Sequence, residues 1–358
     1  MKVKLSEVSS GFTKNIAQKD LDNNNGCYPI YGASGYIKNI NFYISDKPYI
    51  GIVKDGSGVG RVNIYPAYSS LLGTMQYVVP NDNMDIAYLM YALRYMKLGS
   101  LYSGAAIPHI YYKNYQRNEL NYREKNEQKS ISTQLTQIEN AILVCNAKII
   151  ALDELVKSRF IEMFGTLDLS IQGETWLPLS DVSTIFTGTT PSTKDSENWN
   201  GDIPWVTPAE LSDDSFVVCD TERKITQKGM KSKSLSLMPK NTVLLSTRAP
   251  IGKVAITGIE MCCNQGFKNF YCNNTVLNPI YLYTLLRNNS EYLNSLGTGT
   301  TFKEISKKNA SNIKVPVADI SLQNEFADFV KLIDKSKFVG YFTLNIFYVK
   351  SSHFHHPP

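Results

Sequence analysis

Histidine is scarce in this chain of 358 residues: there are four, with His109 alone in the body and His353, His355 and His356 crowded at the end. So thin a supply offers no metal cluster and no imidazole acid–base centre. The six cysteines, at 27, 145, 219, 262, 263 and 272, never fall in a Cys-x-x-Cys spacing. The adjacent pair Cys262-Cys263 suits neither a disulfide staple nor zinc, so all are expected as reduced thiols. No apolar run approaches the ~20 residues that span a bilayer, and Met1-Lys2-Val3-Lys4-Leu5 lacks a signal-peptide core, which points to a cytoplasmic protein without a membrane partner. Gly56-Ser57-Gly58-Val59-Gly60-Arg61 has the glycines of a phosphate loop without the Gly-Lys-Ser/Thr that completes one. Its setting between two strand-like runs fits a hairpin turn. Asn278-Pro279-Ile280-Tyr281 lacks the second proline of the signature that holds a flipped adenine in amino-methyltransferases, and no Gly-rich cofactor loop precedes it. It reads as the start of a helix, as does Asp85-Ile86-Ala87-Tyr88. Neither catalysis nor a bound cofactor is expected of this chain itself.

What the chain does have is itself, twice. Leu5-Ser6-Glu7-Val8-Ser9 returns as Leu179-Ser180-Asp181-Val182-Ser183, displaced by 174 positions. Gly60-Arg61-Val62 after an apolar run matches Gly252-Lys253-Val254 after another, and Tyr88-Leu89 matches Tyr281-Leu282. Gly104-Ala105-Ala106-Ile107 before Ile110 matches Gly299-Thr300-Thr301-Phe302 before Ile305, and Glu127-Gln128 falls where Leu322-Gln323 does. An ordered series of this length marks two copies of one domain. At 43% hydrophobic, the chain can bury two cores of ordinary size.

Between the copies lies a heptad helix. Ile131, Leu135, Ile138, Ile142, Cys145, Ile149, Leu152, Val156, Arg159 and Met163 alternate spacings of four and three, an a/d seam with mostly polar residues between. No proline interrupts it and Gly165 ends it. At ~1.5 Å per residue it is roughly 55 Å long and must find a partner helix. Leu322 to Phe338 begins one, with Phe326, Val330 and Ile333 on a stripe. From Val339 to Val349 the heptad gives way to a Gly-containing, β-prone apolar run, so this second helix is expected to stop short, at less than half the length of the first.

Net charge is only +5, but its distribution is uneven. From Arg223 to Ile259 no acidic residue occurs, while Arg223, Lys224, Lys228, Lys231, Lys233, Lys240, Arg248 and Lys253 are all basic, and Lys303, Lys307, Lys308 and Lys314 follow. Lys and Arg among Ser, Thr, Asn and Tyr are what phosphate contacts and groove readout require, and two readers on a rigid spacer suit duplex DNA. The candidate contacts are Lys54, Ser57 and Arg61 in the first copy. In the second they are Lys228, Lys231, Lys233, Thr247, Arg248, Lys253, Gln265, Lys268, Lys303, Lys307 and Lys308, with Ser57, Thr247, Gln265 and Lys268 nominated for base reading. A coiled-coil adaptor that binds proteins at both ends, its basic clusters serving solubility, is the alternative from another class.

Three passages carry a resemblance to a known family. They are Leu5-Ser6-Glu7-Val8, the helix end Leu155-Val156-Lys157-Ser158-Arg159-Phe160-Ile161-Glu162-Met163-Phe164-Gly165, and Trp176-Leu177-Pro178-Leu179-Ser180-Asp181-Val182. With Thr187-Gly188-Thr189-Thr190-Pro191-Ser192 and Trp199-Asn200-Gly201-Asp202-Ile203-Pro204-Trp205-Val206-Thr207-Pro208, the chain resembles the specificity subunits of type I restriction-modification systems from residue 1 to about 338. The resemblance implies an α+β architecture: two tandem target recognition domains of mixed α/β type, separated by long helices forming an antiparallel coiled coil. The expected limits are a first recognition domain at 1–123, the spacer helix at 124–165, a second recognition domain at 166–320, the start of a second helix at 321–338 and an atypical tail at 339–358. It further implies a non-catalytic reader of a gapped, two-part site in double-stranded DNA. Two methylation subunits would dock on the helices, and restriction subunits would join through them. S-adenosylmethionine, ATP and magnesium would be bound by those partners. The tail departs from the family pattern and suggests a truncated or frame-shifted allele.

Overall fold

Tyr49-Ile50-Gly51-Ile52-Val53 contains no charged side chain and forms a strand in which every residue is buried. A strand covered on both faces calls for just such an unbroken apolar run. Met75–Pro80 and Val62–Tyr65 flank it, and Ser9–Phe12 completes a four-stranded antiparallel sheet. A second sheet has Tyr28–Gly32 at its centre, antiparallel to Gly35–Ile40 and parallel to Ser70–Leu71. In this computed structural model residues 1–353 are described except 105–106, 172, 213–214, 249 and 300–302, with the backbone alone described at 338, 339 and 341–353. The chain divides into two units, one containing Met1–Leu143 and the other Val144–Val349.

The second unit repeats the topology. Val243–Ser246 occupies the place of Tyr49–Val53, between Phe267–Cys272 and Val254–Thr257, with Ser183–Thr187 outermost and one added strand, Val217–Val218. Its smaller sheet again has a central strand, Trp199–Val206, antiparallel to Lys224–Ile225 and parallel to Cys262–Cys263. Local bonds repeat as well. The Ser9 hydroxyl donates to the Leu5 carbonyl at 2.9 Å, and the Ser183 hydroxyl to that of Leu179 at 2.5 Å. Asp85 caps the helix Ile86–Tyr95 by accepting from the Tyr88 amide at 2.9 Å, and Asn278 caps Pro279–Asn288 by accepting from the Ile280 amide at 2.8 Å. The Asn278 side chain is therefore committed to a helix start.

The helix expected over 124–165 is observed at Lys125–Phe164, 40 residues long. Ile149 is buried and Ile131, Leu135, Ile138, Ile142, Cys145, Leu152 and Val156 are half-buried, whereas Leu143, Val144, Ile150 and Leu155, off the seam, are exposed. By length and composition alone it is apolar enough to cross a membrane, although Gln134, Gln137, Glu139, Asn140, Asn146 and Lys148 interrupt its apolar residues. Its side chains favour a partner helix instead: the less exposed residues form one stripe, and Glu139 accepts from Arg94 and Tyr91, each at 2.9 Å.

The expected early stop of the second helix is not observed. This helix runs Ile320–His353, 34 residues. A helix already nucleated pays only propensity for each added residue, a few tenths of a kcal/mol for Val, Phe, Tyr and Thr and about 1 kcal/mol for glycine, and no proline intervenes before Pro357. Within the second unit the two helices run antiparallel: Phe160 meets Phe326 with ring centroids 5.3 Å apart, Asp153 meets Lys337 at 2.5 Å, and Ile149 lies beside Gly340. Phe160, Phe326, Ala327 and Val330 join Tyr281, Leu285 and Phe270 in that unit's core. All six cysteines are free thiols.

Candidate nucleic-acid interface

The Gly-rich run 56–61 is a hairpin loop between Tyr49–Val53 and Val62–Tyr65, closed by bonds from the Val59 amide to the Gly56 carbonyl and from the Gly60 amide to the Val53 carbonyl. A second loop clasps its tip. The Ile110 amide donates to the Lys54 carbonyl at 2.9 Å and the Gly56 amide to the Pro108 carbonyl at 3.0 Å. Ser103 and His109 exchange backbone bonds at 2.9 and 2.8 Å, closing the second loop on itself. The second domain builds the same clasp: the Ile305 amide donates to the Thr247 carbonyl at 2.9 Å, and Thr298 and Glu304 exchange bonds at 3.0 Å. Gly104 and Gly299 take φ of 102° and 113°, open to glycine at little cost, just where each clasping loop turns. Of the repeated tetrapeptides, Ala105, Ala106, Thr300, Thr301 and Phe302 lie outside the described residues.

The backbone recurs while the side chains differ. Asp55 bridges His109 in the first domain; Arg248 bridges Glu304 in the second. In the first, Ser57 and Arg61 are exposed on the hairpin loop. Lys54 is largely buried, 3.6 Å from Asp55, and its ammonium and that of Lys113 each lie 5.7 Å from the Tyr111 ring centre. His109 lies between the Ser103 hydroxyl, 3.1 Å from Nε2, and the Ile107 carbonyl, 3.3 Å from Nδ1. Ile107 itself is 63% exposed at the tip.

In the second domain Glu304 organises the rim. Nε and Nη2 of Arg248 both reach its Oε2 at 2.9 Å, and the Lys268 ammonium lies 3.4 Å from its Oε1. Burial raises the Glu304 pKa, but the hydrogen bond from Arg248 and the charges of Lys268 and Arg248 outweigh it and hold the carboxyl below its usual value. Lys303, Lys307 and Lys308 are exposed next to this cluster in sequence, and Gln265 is exposed with its Oε1 accepting from the Thr190 hydroxyl at 2.7 Å.

Several nominated residues serve the fold instead. Thr247 is fully buried and donates its hydroxyl to the Gly266 carbonyl, so it presents nothing to a base. The buried Lys268 ammonium is shared among Thr247, Gln265 and Glu304. Lys253 donates to the Leu211 carbonyl. Lys228, Lys231 and Lys233 are on or just after the helix Gln227–Ser232, apart from the clasp; Lys231 and Lys233 are exposed, and Lys228 pairs with Glu197 and Asp195. The acid-free stretch is thus partly neutralised by acids brought in from elsewhere, Asp220 on Lys224 and Glu304 on Arg248 among them. The candidates drawn from the sequence did not include Tyr111, Lys113, His109 or Glu304; aligning the copies at the offset of 195 that relates Ile110 to Ile305 pairs His109 with Glu304.

Comparison with known proteins adds an independent line. The sequence model of the family described as type I restriction modification DNA specificity domain matches residues 1–154 and 174–338, once on each copy. The specificity subunit of the type I restriction enzyme MjaIX of Methanocaldococcus jannaschii is 36% identical over 185 residues, 50% of this chain and 43% of that protein. That of the EcoprrI enzyme of Escherichia coli is 37% identical over 93 residues, 26% of this chain and 23% of that protein. The chain thus matches less than half the length of either relative. Among solved structures, the type I restriction-modification S subunit from M. genitalium shares the fold, with a TM-score of 0.67 at 16% identity over 99% of this chain and 94% of that one.

Proposed function

The chain belongs to the type I restriction-modification DNA specificity family, and from that premise we propose that it reads a gapped, two-part site in double-stranded DNA, one half with each domain. The recurrence of one hydrogen-bonded clasp carrying different side chains supports this reading above all. A fixed backbone presents each rim in the same way, and the exchanged residues let each rim select its own bases. Arg61 and Lys113 in the first domain, and Arg248, Lys303, Lys307 and Lys308 in the second, contribute phosphate contacts. Ser57 and Gln265 are placed on the loops for base edges. The chain does no chemistry itself. Its two long helices dock two methylation subunits, which bind S-adenosylmethionine and transfer the methyl group to adenine; restriction subunits join through them and use ATP and magnesium.

Mapping of adenine methylation in cells that express the chain with its cognate methylation subunit tests the reading. A two-part motif with a constant gap is expected. In vitro, affinity should fall with salt, with a log–log slope of about 0.9 per phosphate contacted. DNA binding that is absent at every salt concentration, with no motif, would leave the coiled-coil adaptor as the better account.

A further inference from the structure

Two glutamines occupy the same position in the two long helices and are both fully buried: Gln128 and Gln323, each the fourth helical residue. Gln128 Oε1 accepts from the Asp85 amide at 2.7 Å, while its Nε2 donates to the Asn83 carbonyl at 3.1 Å and the Arg123 carbonyl at 2.7 Å. Gln323 Oε1 accepts from the Asn278 amide at 2.9 Å, and its Nε2 donates to the carbonyls of Val276 at 3.0 Å and Ala318 at 2.8 Å. Each carboxamide therefore ties three pieces of chain together: the first turn of a long helix, the strand of chain entering that helix, and the cap of the domain helix Ile86–Tyr95 or Pro279–Asn288. Rim bonds add to each knot. Ser132 donates to Asp85 Oδ1 at 3.0 Å, and Asn278 Nδ2 donates to Asn324 Oδ1 at 2.7 Å.

Each amide pairs one backbone N–H and two backbone carbonyls, and an apolar residue of the same size would leave all three without it. A fully satisfied buried polar group fixes one geometry, because any rotation of domain against helix leaves backbone groups unpaired. We infer that Gln128 and Gln323 are positioning residues that lock each recognition domain to its own helix and thereby set the gap length the protein accepts. This inference rests on the two-part reading above. One added base pair shifts a half-site by about 3.4 Å along the duplex and turns it by roughly a tenth of a revolution, so only a stiff joint rejects it.

The experiment measures methylation by the complete complex on a library of sites whose two halves are held constant and whose gap is one base pair shorter, equal or one longer. The wild-type chain is expected to prefer one gap by on the order of tenfold or more, and Gln128→Leu or Gln323→Leu to bring its neighbours within about threefold, with the bases read in each half unchanged. Ser132→Ala and Asn324→Ala loosen the same knots while keeping the amides, and are expected to broaden the gap less. Gap selectivity unchanged in every variant that assembles overturns the inference, even if melting temperatures drop. A wild-type library without any two-part preference overturns the reading of function, and the inference with it.

Discussion

Glu304 shows how one residue ties binding to folding. It neutralises Arg248, which is half exposed, and Lys268, which is buried. Arg248→Ala removes a cation from the rim and is expected to weaken DNA binding and lower the salt slope by about 0.9, read by titration at several salt concentrations. Glu304→Gln leaves the buried ammonium of Lys268 without its anion and should cost about 1 kcal/mol at neutral pH, after allowing for solvent screening of a carboxylate this exposed. The sign with pH follows from the lowered carboxyl. The charged form is favoured in the folded state, so its contribution is complete above the ordinary carboxylate value of 4.5 and fades as pH falls toward the lowered one. The difference in melting temperature between wild type and variant should therefore shrink on acidification from neutrality to below about pH 4. The thiols make a second residue-scale case. Burial pushes Cys262 up to about 11 and Cys263 and Cys272 up to about 12, while Cys27 and Cys219 are exposed. A thiol reagent at neutral pH should label Cys27 and Cys219 first and reach the buried three only on unfolding. Early labelling of Cys272 would show that the second core opens readily.

Gly340 gives the test at the level of the element. It lies inside the terminal helix, and a Cβ there would meet Ile149 at 3.5 and 3.6 Å, ordinary contact distances with no backbone strain. Gly340→Ala should stabilise the chain by about 0.5–1 kcal/mol in urea denaturation, through helix propensity and a less flexible unfolded state. A destabilised variant would mean that the helix does not continue past this point. The same region marks where sequence reading ran out. The spacer helix was legible because its stripe persists from Ile131 to Met163 with one period. Val339 to Val349 misled because β-branched and aromatic residues carry only a small helical penalty, which a helix begun at Ile320 absorbs. The two domains were legible from ordered pairs such as Leu5 and Leu179, and their sheets do repeat, with the one strand Val217–Val218 added in the second. The rim was legible only in part. The Gly-rich turn pointed to Arg61 and the acid-free stretch to Arg248, both of which lie exposed, but nothing local tells that Thr247 and Lys268 turn inward, or that Glu304 comes to Arg248 from 56 positions away.

At the scale of the whole molecule, the mild net charge of +5 is divided between two units that each have a core and a clasp. Cations on separate folding units with no shared partner should act independently, so the losses from Arg61→Ala and Arg248→Ala are expected to add within about 0.3–0.5 kcal/mol, and their salt slopes to fall by about 0.9 each and about 1.8 together. On the proposed two-part reading, each substitution should also act on its own side of the motif, weakening methylation at sites whose matching half is already suboptimal and sparing those whose other half is. Fluorescence titration of the four proteins, wild type, both singles and the double, measures the sum directly. A double variant that binds much better than the sum predicts would mean that the two rims engage the same half-site, against the proposed reading of one half per domain.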